Sequence, residues 1–345
     1  MKKIKAGIIG ASGYAGCELV RLLWNHPCVE VVGINSKSYI GKTIDELYPS
    51  FYGIIDLVFE EEDDVINKSD IVFASLPHGF SEKLARKCFD QNKVFIDLGA
   101  DFRLHDPNDY KEWYKLDYND QQLHDAQVYG LPELFRDQIK GHKIIGNPGC
   151  YPTSIALALY PAIKQGLVHD HVIIDSKSGT TGAGKGLSDN THFPRLNESF
   201  APYKVGGHRH TPEIEQTIKM LANKAIKVTF TPHLLPVNRG IISTIYVQLP
   251  QKMDLEAIYS IYKETYQNEK FVRVLPLSRT ADLKYIKYSN YCDISLHTDP
   301  RNNTLIIVSC IDNMVKGAAG QAIQNMNLLF GLEEDMGLNY VPASF

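Results

Sequence analysis

Apolar residues in the first 150 positions fall into short runs separated by polar or helical stretches. The runs predict buried strands, which cover residues 4–9, 29–34, 70–74, 94–97 and 143–145. After the first and last of these runs, the sequence predicts helices, at residues 18–23 and 154–160. Strands that alternate with helices favour a parallel sheet in an α/β domain. Residues 104–128 are polar, with many Tyr, Asp and Gln, and are expected to form an irregular excursion.

The pattern changes in the second half of the chain, where strands outnumber helices. Strands are predicted over residues 171–178, 227–231, 241–249, 293–296 and 304–310. This favours an α+β domain with a mostly antiparallel sheet. We therefore expect a first domain over 1–147 and a second over 148–312. The segment 313–345, with its helical pattern clearest up to about Leu329, is expected to be a C-terminal helix that completes the first domain.

Three glycines occupy the turn between the first strand and the first helix, namely Gly10, Gly13 and Gly16. This spacing allows a tight turn, close approach of a pyrophosphate and close packing of the helix on the strand. A glycine-rich turn without a ligand is the alternative. The position between strand and helix favours the interpretation as a Rossmann-type dinucleotide-binding domain.

The end of the second strand predicts which dinucleotide binds. Folds that select NAD usually carry a carboxylate there for the ribose 2′-hydroxyl. This chain has Asn35-Ser36-Lys37-Ser38 instead, so a cation and hydroxyls are available for the 2′-phosphate of NADP. The alternative for Lys37 is a solvated loop charge. Ser75, at the carboxyl end of another strand, is expected to face the cofactor.

The candidate nucleophile is Cys150, at the turn between the strand at 143–145 and the helix at 154–160. The free N–H groups and the dipole of a helix N-terminus favour an anion, so a thiol there ionises more readily. The thiolate is the nucleophilic form. The alternative is a small buried residue in a tight turn, since free cysteine packs as an apolar side chain.

Three other polar side chains are candidates for binding or catalysis. Arg103 follows a strand, where it either contacts a phosphate or carboxylate or braces Asp97 or Asp101. His208 and His210 lie in a loop directly before a helix that Thr211 and Pro212 are suited to start, and side chains from such a loop can converge on a site.

Composition narrows the class of protein. The 44% hydrophobic and 22% charged content is that of a globular protein, and the formal charge of −4 argues against nucleic acid or anionic membrane as the main partner. No apolar run approaches the roughly 18 residues of a membrane span. The six cysteines are scattered, which is a poor zinc or disulfide framework and suits a reducing cytosol. A cytoplasmic protein without a bound metal, acting on a small molecule, is expected.

Five segments occur in the order GASGYAG, GNPGCYPT, GGHRHTPEI, LLPVNRGI and DNMVKGAAGQA, and they span nearly the whole chain. Together they resemble the N-acetyl-gamma-glutamyl-phosphate reductase family of arginine biosynthesis, which is related to aspartate-semialdehyde dehydrogenase. The resemblance implies reduction of N-acetyl-glutamyl 5-phosphate by NADPH, through a thioester on cysteine, to N-acetyl-glutamate 5-semialdehyde and phosphate. The oligomeric state is open, and an exposed sheet in the second domain would suit a homodimer or homotetramer.

The same resemblance assigns roles to individual residues. Cys150 is the nucleophile, and His210 is favoured over His208 as the general acid/base, with the reverse assignment left open. Further residues are expected to bind the cofactor: Gly10, Ser12, Gly13, Tyr14, Ala15 and Gly16 at the pyrophosphate, Ser36 and Lys37 at the 2′-phosphate, Ser75 nearby, and Gly182, Ala183 and Asn313 at the nicotinamide. Residues expected to contact the substrate are Arg103, Ser178 and Arg239.

Two features limit what the resemblance implies. Many relatives carry arginine where this chain has Lys37, and lysine lacks the guanidinium fork, so the NADP preference is expected to be weaker. The acyl group is also open: N-succinyl-glutamyl, aminoadipyl or aspartyl phosphate would undergo the same chemistry. A non-catalytic dinucleotide sensor is the alternative from another class, and it would require the loss of Cys150 or of both histidines.

Overall fold

The computed structural model describes residues 2–343, and the chain divides into two compact units. The first unit combines Met1–Pro148 with Ala318–Asn339, and the second combines Gly149–Gly317 with Tyr340–Phe345. The divisions after Pro148 and Gly317 lie close to the domain boundaries expected at residues 147 and 312. Within residues 2–343, no helix combines the length and the apolar character that crossing a membrane requires.

The described residues form the following regular elements. The strands are β1 (Ile4–Ile9), β2 (Val29–Asn35), β3 (Ile71–Ala74), β4 (Val94–Asp97), β5 (Gln127–Tyr129), β6 (Ile144–Gly146), β7 (His171–Ser178), β8 (Ala201–Pro202), β9 (Lys227–Leu234), β10 (Ile241–Gln248), β11 (Val272–Val274), β12 (Cys292–Asp299) and β13 (Thr304–Ile311). The helices are α1 (Tyr14–Trp24), α2 (Ile44–Leu47), α3 (Glu62–Lys68), α4 (Ser81–Asp90), α5 (Pro107–Tyr114), α6 (Gln121–Asp125), α7 (Pro132–Ile139), α8 (Cys150–Lys164), α9 (Phe193–Leu196), α10 (Thr211–Ala222), α11 (Leu255–Tyr266) and α12 (Gly320–Leu329).

The sheet of the first unit is parallel throughout, with the strand order β2-β1-β3-β4-β6-β5. The predicted Rossmann-type α/β architecture is therefore confirmed. The strand order changes direction between β1 and β3, and ligands bind at the carboxyl ends of strands at such a point. Gly10 directly follows β1 and Ser75 directly follows β3, so both lie at this edge.

The segment 104–128 is more regular than its polar composition predicts. It forms α5, α6 and β5, so the expected irregular excursion is wrong. Asp106 and Asp120 act as N-caps, since their carboxylates accept from the N–H groups of Asn108 and Leu123. Tyr110 and Tyr114 are buried against Ala100 and Leu104, among others, in a small aromatic cluster. Capping and aromatic packing stabilise helices that lack an apolar periodicity.

The C-terminal helix is shorter than the segment 313–345 to which it was assigned. A π-helical turn at Val315–Ala319 leads into α12, which ends at Leu329, where the helical pattern weakens. Gly331 adopts a positive φ of 68°, which terminates a helix without the strain another residue would experience. Among the described residues after it, 334–338 form turns, and residues 340–343 group with the second unit. Within the first unit, Gln321 and Asn325 of α12 both donate to the carbonyl of Gly130.

The sheet of the second unit has the order β11-β12-β13-β10-β7-β9-β8. The pairs β7–β9 and β11–β12 are parallel, and the other neighbours are antiparallel. The predicted mostly antiparallel sheet is confirmed.

A line of buried serines holds α8 on this sheet. Ser176, Ser243 and Ser309 lie opposite one another on β7, β10 and β13. Ser154 Oγ of α8 lies 3.2 Å from Ser243 Oγ and 3.0 Å from Ser309 Oγ, and Ser176 Oγ lies 2.8 Å from Ser243 Oγ. Small hydrogen-bonded side chains let the helix approach the sheet closely. The line therefore positions the start of α8, where Cys150 lies.

A proline inside α8 is compensated by a tyrosine of α11. Pro161 has no N–H, so the carbonyl of Leu157, four residues earlier, lacks its usual helical partner. The Tyr266 hydroxyl donates to this carbonyl, and Tyr262 donates to the next one, at Ala158. Both tyrosines are buried, so these bonds connect α11 to α8 in the core.

Candidate active site

Cys150 is the first residue of α8, and Gly149 is its N-cap with an extended backbone of φ −66° and ψ 155°. The predicted position of this cysteine at a helix N-terminus is confirmed. The thiol is partly exposed rather than sealed in the core. It is therefore accessible to a substrate, and the N–H groups of the helix start favour the thiolate.

His210 and Glu213 occupy the space beside Gly149. The Gly149 N–H donates to Glu213 Oε1 at 2.8 Å, and the glutamate is wholly buried. A Cβ on Gly149 would lie only 2.7 Å from His210 Nε2 and 3.0 Å from Glu213 Oε2. A side chain at position 149 would displace these groups, because the imidazole lies against the backbone directly before Cys150. Glu213 was not predicted, although the carboxylate three residues after His210 in HRHTPE was an available signal.

One cavity of about 630 Å³ in the second unit brings all three predicted catalytic residues together. Its lining includes Cys150, His208, His210, Ser178, Gly182 and Ala183. These residues come from α8, the end of β7, the loop that follows β7 and the loop before α10. Among the described residues, no cluster of three or more His, Cys, Asp or Glu side chains is arranged to hold a metal ion.

His208 is a buried neutral imidazole. Its Nδ1 accepts from the backbone N–H of His210 at 3.1 Å, and its Nε2 lies 3.5 Å from the hydroxyl of Tyr203. Burial, together with the positive charges of Lys204 and Arg209, lowers the pKa of His208 to about 3. The imidazole is therefore uncharged across the physiological range.

Three cationic side chains that were not predicted line the same cavity. They are Arg195, Lys204 and Arg209. Arg195 pairs with Asp189 at 2.9 Å on the exposed side, and burial beside Arg209 lowers the pKa of Lys204. Arg195 lies in α9 and Lys204 follows β8, two short elements that the sequence pattern did not predict. The positive charge suits a substrate that carries a carboxylate and a phosphate.

Arg239 and Asn313 do not belong to the lining of this cavity. The Arg239 guanidinium lies 4.8 Å from the centre of the Tyr288 ring and 3.6 Å from the Asp312 carboxylate. Asn313 Oδ1 accepts from the Gly240 N–H at 2.7 Å, and its Nδ2 donates to Thr181 Oγ1 at 3.0 Å. Asn313 thus joins the loops around Gly182 and Gly240.

The first unit contains a cleft of about 570 Å³ at the switch point of its sheet. Of the residues predicted to bind the cofactor, Gly10, Ser12, Gly13, Ser36, Lys37 and Ser75 line it. Tyr14, Ala15 and Gly16 form the first turn of α1 and lie outside this lining. Ser12 Oγ and Ser36 Oγ are 2.7 Å apart, which connects the turn after β1 with the turn after β2.

The three glycines after β1 meet different requirements. Gly10 has a φ of +85°, and a Cβ there would lie 2.2 Å from the carbonyl oxygen of Ser75. A Cβ on Gly16 would lie 2.3 Å from the carbonyl oxygen of Gly10, which shows the close packing of α1 on the turn. Gly13 caps α1 with no side-chain hydrogen bond, and the first turn of this helix has no acidic residue. The helix start therefore fits a pyrophosphate.

Arg103 is buried and acts as a brace in the first unit. Its Nε donates to the carbonyl of Asn147 and its Nη2 to the carbonyl of Leu98, both at 2.7 Å. These carbonyls follow β6 and β4, so the guanidinium connects the carboxyl ends of two strands. Of the two alternatives for Arg103, these contacts favour bracing, and the charge of the guanidinium also favours the carboxylate form of Asp97. The substrate contact stays a prediction.

Asp97 and Asp101 form a buried acidic pair at the same edge. Asp101 accepts from the N–H groups of Gly79 and Ser81 and from the Tyr110 hydroxyl, so it holds the loop after β3. Asp97 accepts from the Ser81 hydroxyl at 2.7 Å. Burial raises the pKa of Asp97, and the neighbouring Asp101 raises it further.

The chain is similar to known proteins over nearly its whole length. Residues 5–142 match the family model of the semialdehyde dehydrogenase NAD binding domain, and residues 150–313 match that of the semialdehyde dehydrogenase dimerisation domain. A protein from Brachyspira hyodysenteriae, named N-acetyl-gamma-glutamyl-phosphate reductase, is 55% identical over 99% of this chain and 100% of its own. A protein of the same name from Clostridium beijerinckii is 54% identical over the same shares.

The fold also matches solved structures at low sequence identity. The crystal structure of aspartate semialdehyde dehydrogenase with NADP from Candida albicans has a TM-score of 0.70 and 16% identity. The match covers 95% of this chain and 98% of that one. At this identity, the comparison shows a shared fold.

Proposed function

Because the chain belongs to the N-acetyl-gamma-glutamyl-phosphate reductase family, we propose that it uses NADPH to reduce N-acetyl-glutamyl 5-phosphate. The products are N-acetyl-glutamate 5-semialdehyde and phosphate, and the reaction is a step of arginine biosynthesis. The observation that carries the proposal is the shared cavity of Cys150 and His210, with the imidazole held against the backbone that precedes the thiol.

The cysteine forms and breaks the covalent bond to the acyl group. The Cys150 thiolate attacks the acyl carbon, the carbon–oxygen bond to the phosphate breaks, and phosphate leaves with the bonding electrons. This leaves a thioester on Cys150. NADPH, when bound, supplies the hydride that brings this carbon to the oxidation level of an aldehyde. Cys150 then leaves as a thiolate when the semialdehyde is released.

His210 transfers the protons in this proposal. Its imidazole lies beside the start of α8, and Glu213 lies next to the same point. The imidazole takes the thiol proton before attack and donates a proton to the substrate oxygen during reduction, which gives a thiohemiacetal. It takes this proton back when the carbon–sulfur bond breaks and the semialdehyde is released. The Glu213 carboxylate stabilises the positive charge that develops on the imidazole. His208, which stays neutral, orients the substrate and the loop.

Binding of the two small molecules is assigned to separate sets of residues. The turn after β1, with Ser12, Gly13, Tyr14 and Ala15, holds the pyrophosphate, and Ser36 and Lys37 hold the 2′-phosphate. Gly182, Ala183 and Asn313 contact the nicotinamide. Ser178 and the cations of the cavity bind the substrate anions, and Arg239 and Arg103 contribute charge to substrate binding.

The second unit is proposed to supply the surface through which copies of the chain associate. Its match to a dimerisation domain suggests a homo-oligomer. Ile173 of β7 and Tyr246 of β10 are paired neighbours, and they are 48% and 37% exposed. Apolar side chains at this exposure on a sheet suit a partner sheet. We propose a homodimer or a dimer of dimers formed through this sheet.

The reverse reaction gives the most direct test. Purified protein is mixed with N-acetyl-glutamate 5-semialdehyde, inorganic phosphate and NADP, and NADPH formation is followed. Parallel arms omit phosphate, replace NADP by NAD, or use the N-succinyl and aspartate semialdehydes. Phosphate-dependent NADP reduction that is fastest with the N-acetyl substrate supports the proposal, and a faster rate with another semialdehyde overturns the substrate assignment.

Cys150→Ser is the matched control for this assay. A serine hydroxyl is barely ionised at neutral pH, so the variant is expected to bind NADP normally and to lose turnover by several orders of magnitude. Iodoacetamide should label the wild-type protein at Cys150, and acylation by substrate should protect it. Near-normal turnover by the serine variant would rule out the thioester route.

A further inference from the structure

The cleft of the first unit carries more charge than the turn after β2 supplies. Its charged lining residues are Lys37, Glu62 and Lys83. Lys37 follows β2, whereas Glu62 begins α3 and Lys83 lies in the first turn of α4. The carboxylate of Glu62 opposes the charge of Lys37 in this lining. A 2′-phosphate carries between one and two negative charges at neutral pH, so a lining with more than one ammonium group suits it better than Lys37 alone.

The contacts of Lys87 define the face of α4 that borders the cleft. Lys87 Nζ lies 3.1 Å from Glu62 Oε1 and 2.6 Å from Asp63 Oδ1. Lys83 precedes Lys87 by four residues, so the two side chains lie on the same face of α4, one turn apart. Lys87 does not line the cleft, but it offsets the charge of Glu62. Lys83 is one of the residues that line the cleft.

Lys83 is available to bind an anion. It is exposed, and among the described residues neither Lys83 nor Lys37 forms an ion pair. By contrast, Lys87 is held by two carboxylates. Two free ammonium groups therefore reach the cleft from different elements, one after β2 and one on α4.

We propose that Lys83 is a second determinant of NADP selectivity, which binds the 2′-phosphate together with Lys37. The proposal rests on the proposed use of NADPH. It accounts for selectivity in a chain that carries Lys37 rather than the arginine of many relatives. Two separated lysines supply the charge and the directions of approach that a single guanidinium fork provides elsewhere.

Direct binding of cofactor fragments tests this inference without turnover. Adenosine 2′,5′-bisphosphate and 5′-AMP differ only in the 2′-phosphate, and their dissociation constants are measured by calorimetry. Lys83→Gln is expected to weaken the bisphosphate by about five- to thirty-fold and to leave 5′-AMP within about twofold. Lys83→Arg should retain most of the affinity. Lys140→Gln, on an exposed lysine outside the cleft lining, is the control and should change neither.

The outcomes separate this inference from the proposed function. If the wild-type protein prefers the bisphosphate and Lys83→Gln retains that preference, the role of Lys83 is overturned while NADP use stands. If the wild-type protein binds both fragments equally, the NADP assignment itself fails. If Lys83→Gln weakens both fragments equally, Lys83 contacts the adenosine or the 5′-phosphate, and its role in selectivity is again overturned.

Discussion

The backbone N–H of His210 donates a hydrogen bond to Nδ1 of His208 at 3.1 Å. A nitrogen that accepts carries no proton, so the proton of the neutral His208 ring lies on Nε2, which faces the Tyr203 hydroxyl. Burial lowers the pKa of this ring to about 3, so it neither gains nor loses a proton at neutral pH. These contacts favour His210 as the general acid/base and give His208 a positioning role.

Substitution of the two histidines tests this division. His210→Asn is expected to lower kcat by about 10²- to 10⁴-fold, because a general acid/base contributes about that much to the rate. His208→Asn should act mainly on the KM of the substrate, as expected for a residue that binds ground and transition states alike. Steady-state kinetics with both variants measures the two effects.

The pH profile of kcat/KM provides an independent measurement for the histidines. The limb that reports the acid/base should vanish in His210→Asn. It should persist in His208→Asn, because the pKa of His208 in the wild-type protein, at about 3, lies below the pH range in which the limb is measured. Loss of the limb in the His208 variant would reverse the roles. If both variants keep the limb, neither histidine is the base.

Gly149→Ala is expected to impair catalysis without unfolding the protein. The new methyl group would lie 2.7 Å from His210 Nε2, so the imidazole must move away from its position before Cys150. A displacement of about 1 Å can cost about 100-fold in rate, so kcat/KM should fall by about that factor.

Gly186→Ala is the matched control for this substitution, because nothing lies within 4 Å of its added Cβ and its φ is not positive. Steady-state kinetics and circular dichroism compare the two alanine variants. Wild-type kcat/KM in Gly149→Ala would show that the position of the imidazole beside Gly149 does not matter for turnover.

Tyr266→Phe is expected to lower the free energy of unfolding by about 1–2 kcal/mol. Loss of the hydroxyl leaves the buried Leu157 carbonyl without the donor that replaces the missing N–H of Pro161. Chemical denaturation monitored by circular dichroism measures the change. Tyr259→Phe, on the same helix and only half-buried, is the control.

A double-mutant cycle makes this prediction more specific. Pro161→Ala restores a backbone N–H that can bond to Leu157, so Tyr266→Phe should cost less in that background. An equal cost in both backgrounds would mean that the hydroxyl stabilises α8 for a reason unrelated to the proline.

The buried Asp97 predicts a pH dependence of stability. Its pKa is raised above the ordinary 3.8 because burial disfavours the carboxylate and Asp101 lies nearby. The folded protein therefore holds a proton that the unfolded chain releases, and the free energy of unfolding falls as the pH rises from about 4 toward neutrality. In Asp97→Asn, this part of the pH dependence of the free energy of unfolding should be absent.

Urea denaturation at several pH values checks this dependence. The free energy of unfolding of the wild-type protein minus that of Asp97→Asn should decrease as the pH rises. Asp137→Asn, at an exposed position, should show no such trend. A difference that increases with pH would mean that the folded protein favours the charged form of Asp97.

Much of the fold and part of the site follow from local features of the sequence. Strands β1, β3 and β4 are buried, so they appear as nearly continuous apolar runs. Gly10 and Gly149 lie where a side chain would collide with a backbone or with His210, so they stand out as glycines in turns. That Cys150 lies at or near the start of a helix follows from the turn sequence and the apolar stretch after it, although α8 begins four residues before the predicted start at residue 154.

Only the tertiary structure decided the features that depend on contacts between distant residues. The helices in 104–128 required caps and aromatic packing, and the bracing role of Arg103 required two carbonyls from separate loops. Glu213 accepts a hydrogen bond from the Gly149 N–H, 64 positions away in the chain. Lys83 of α4 lines the same cleft as Lys37, which follows β2. A local pattern reports whether a side chain is buried and how its backbone turns. It does not report which distant group lies opposite, because that depends on how the elements pack.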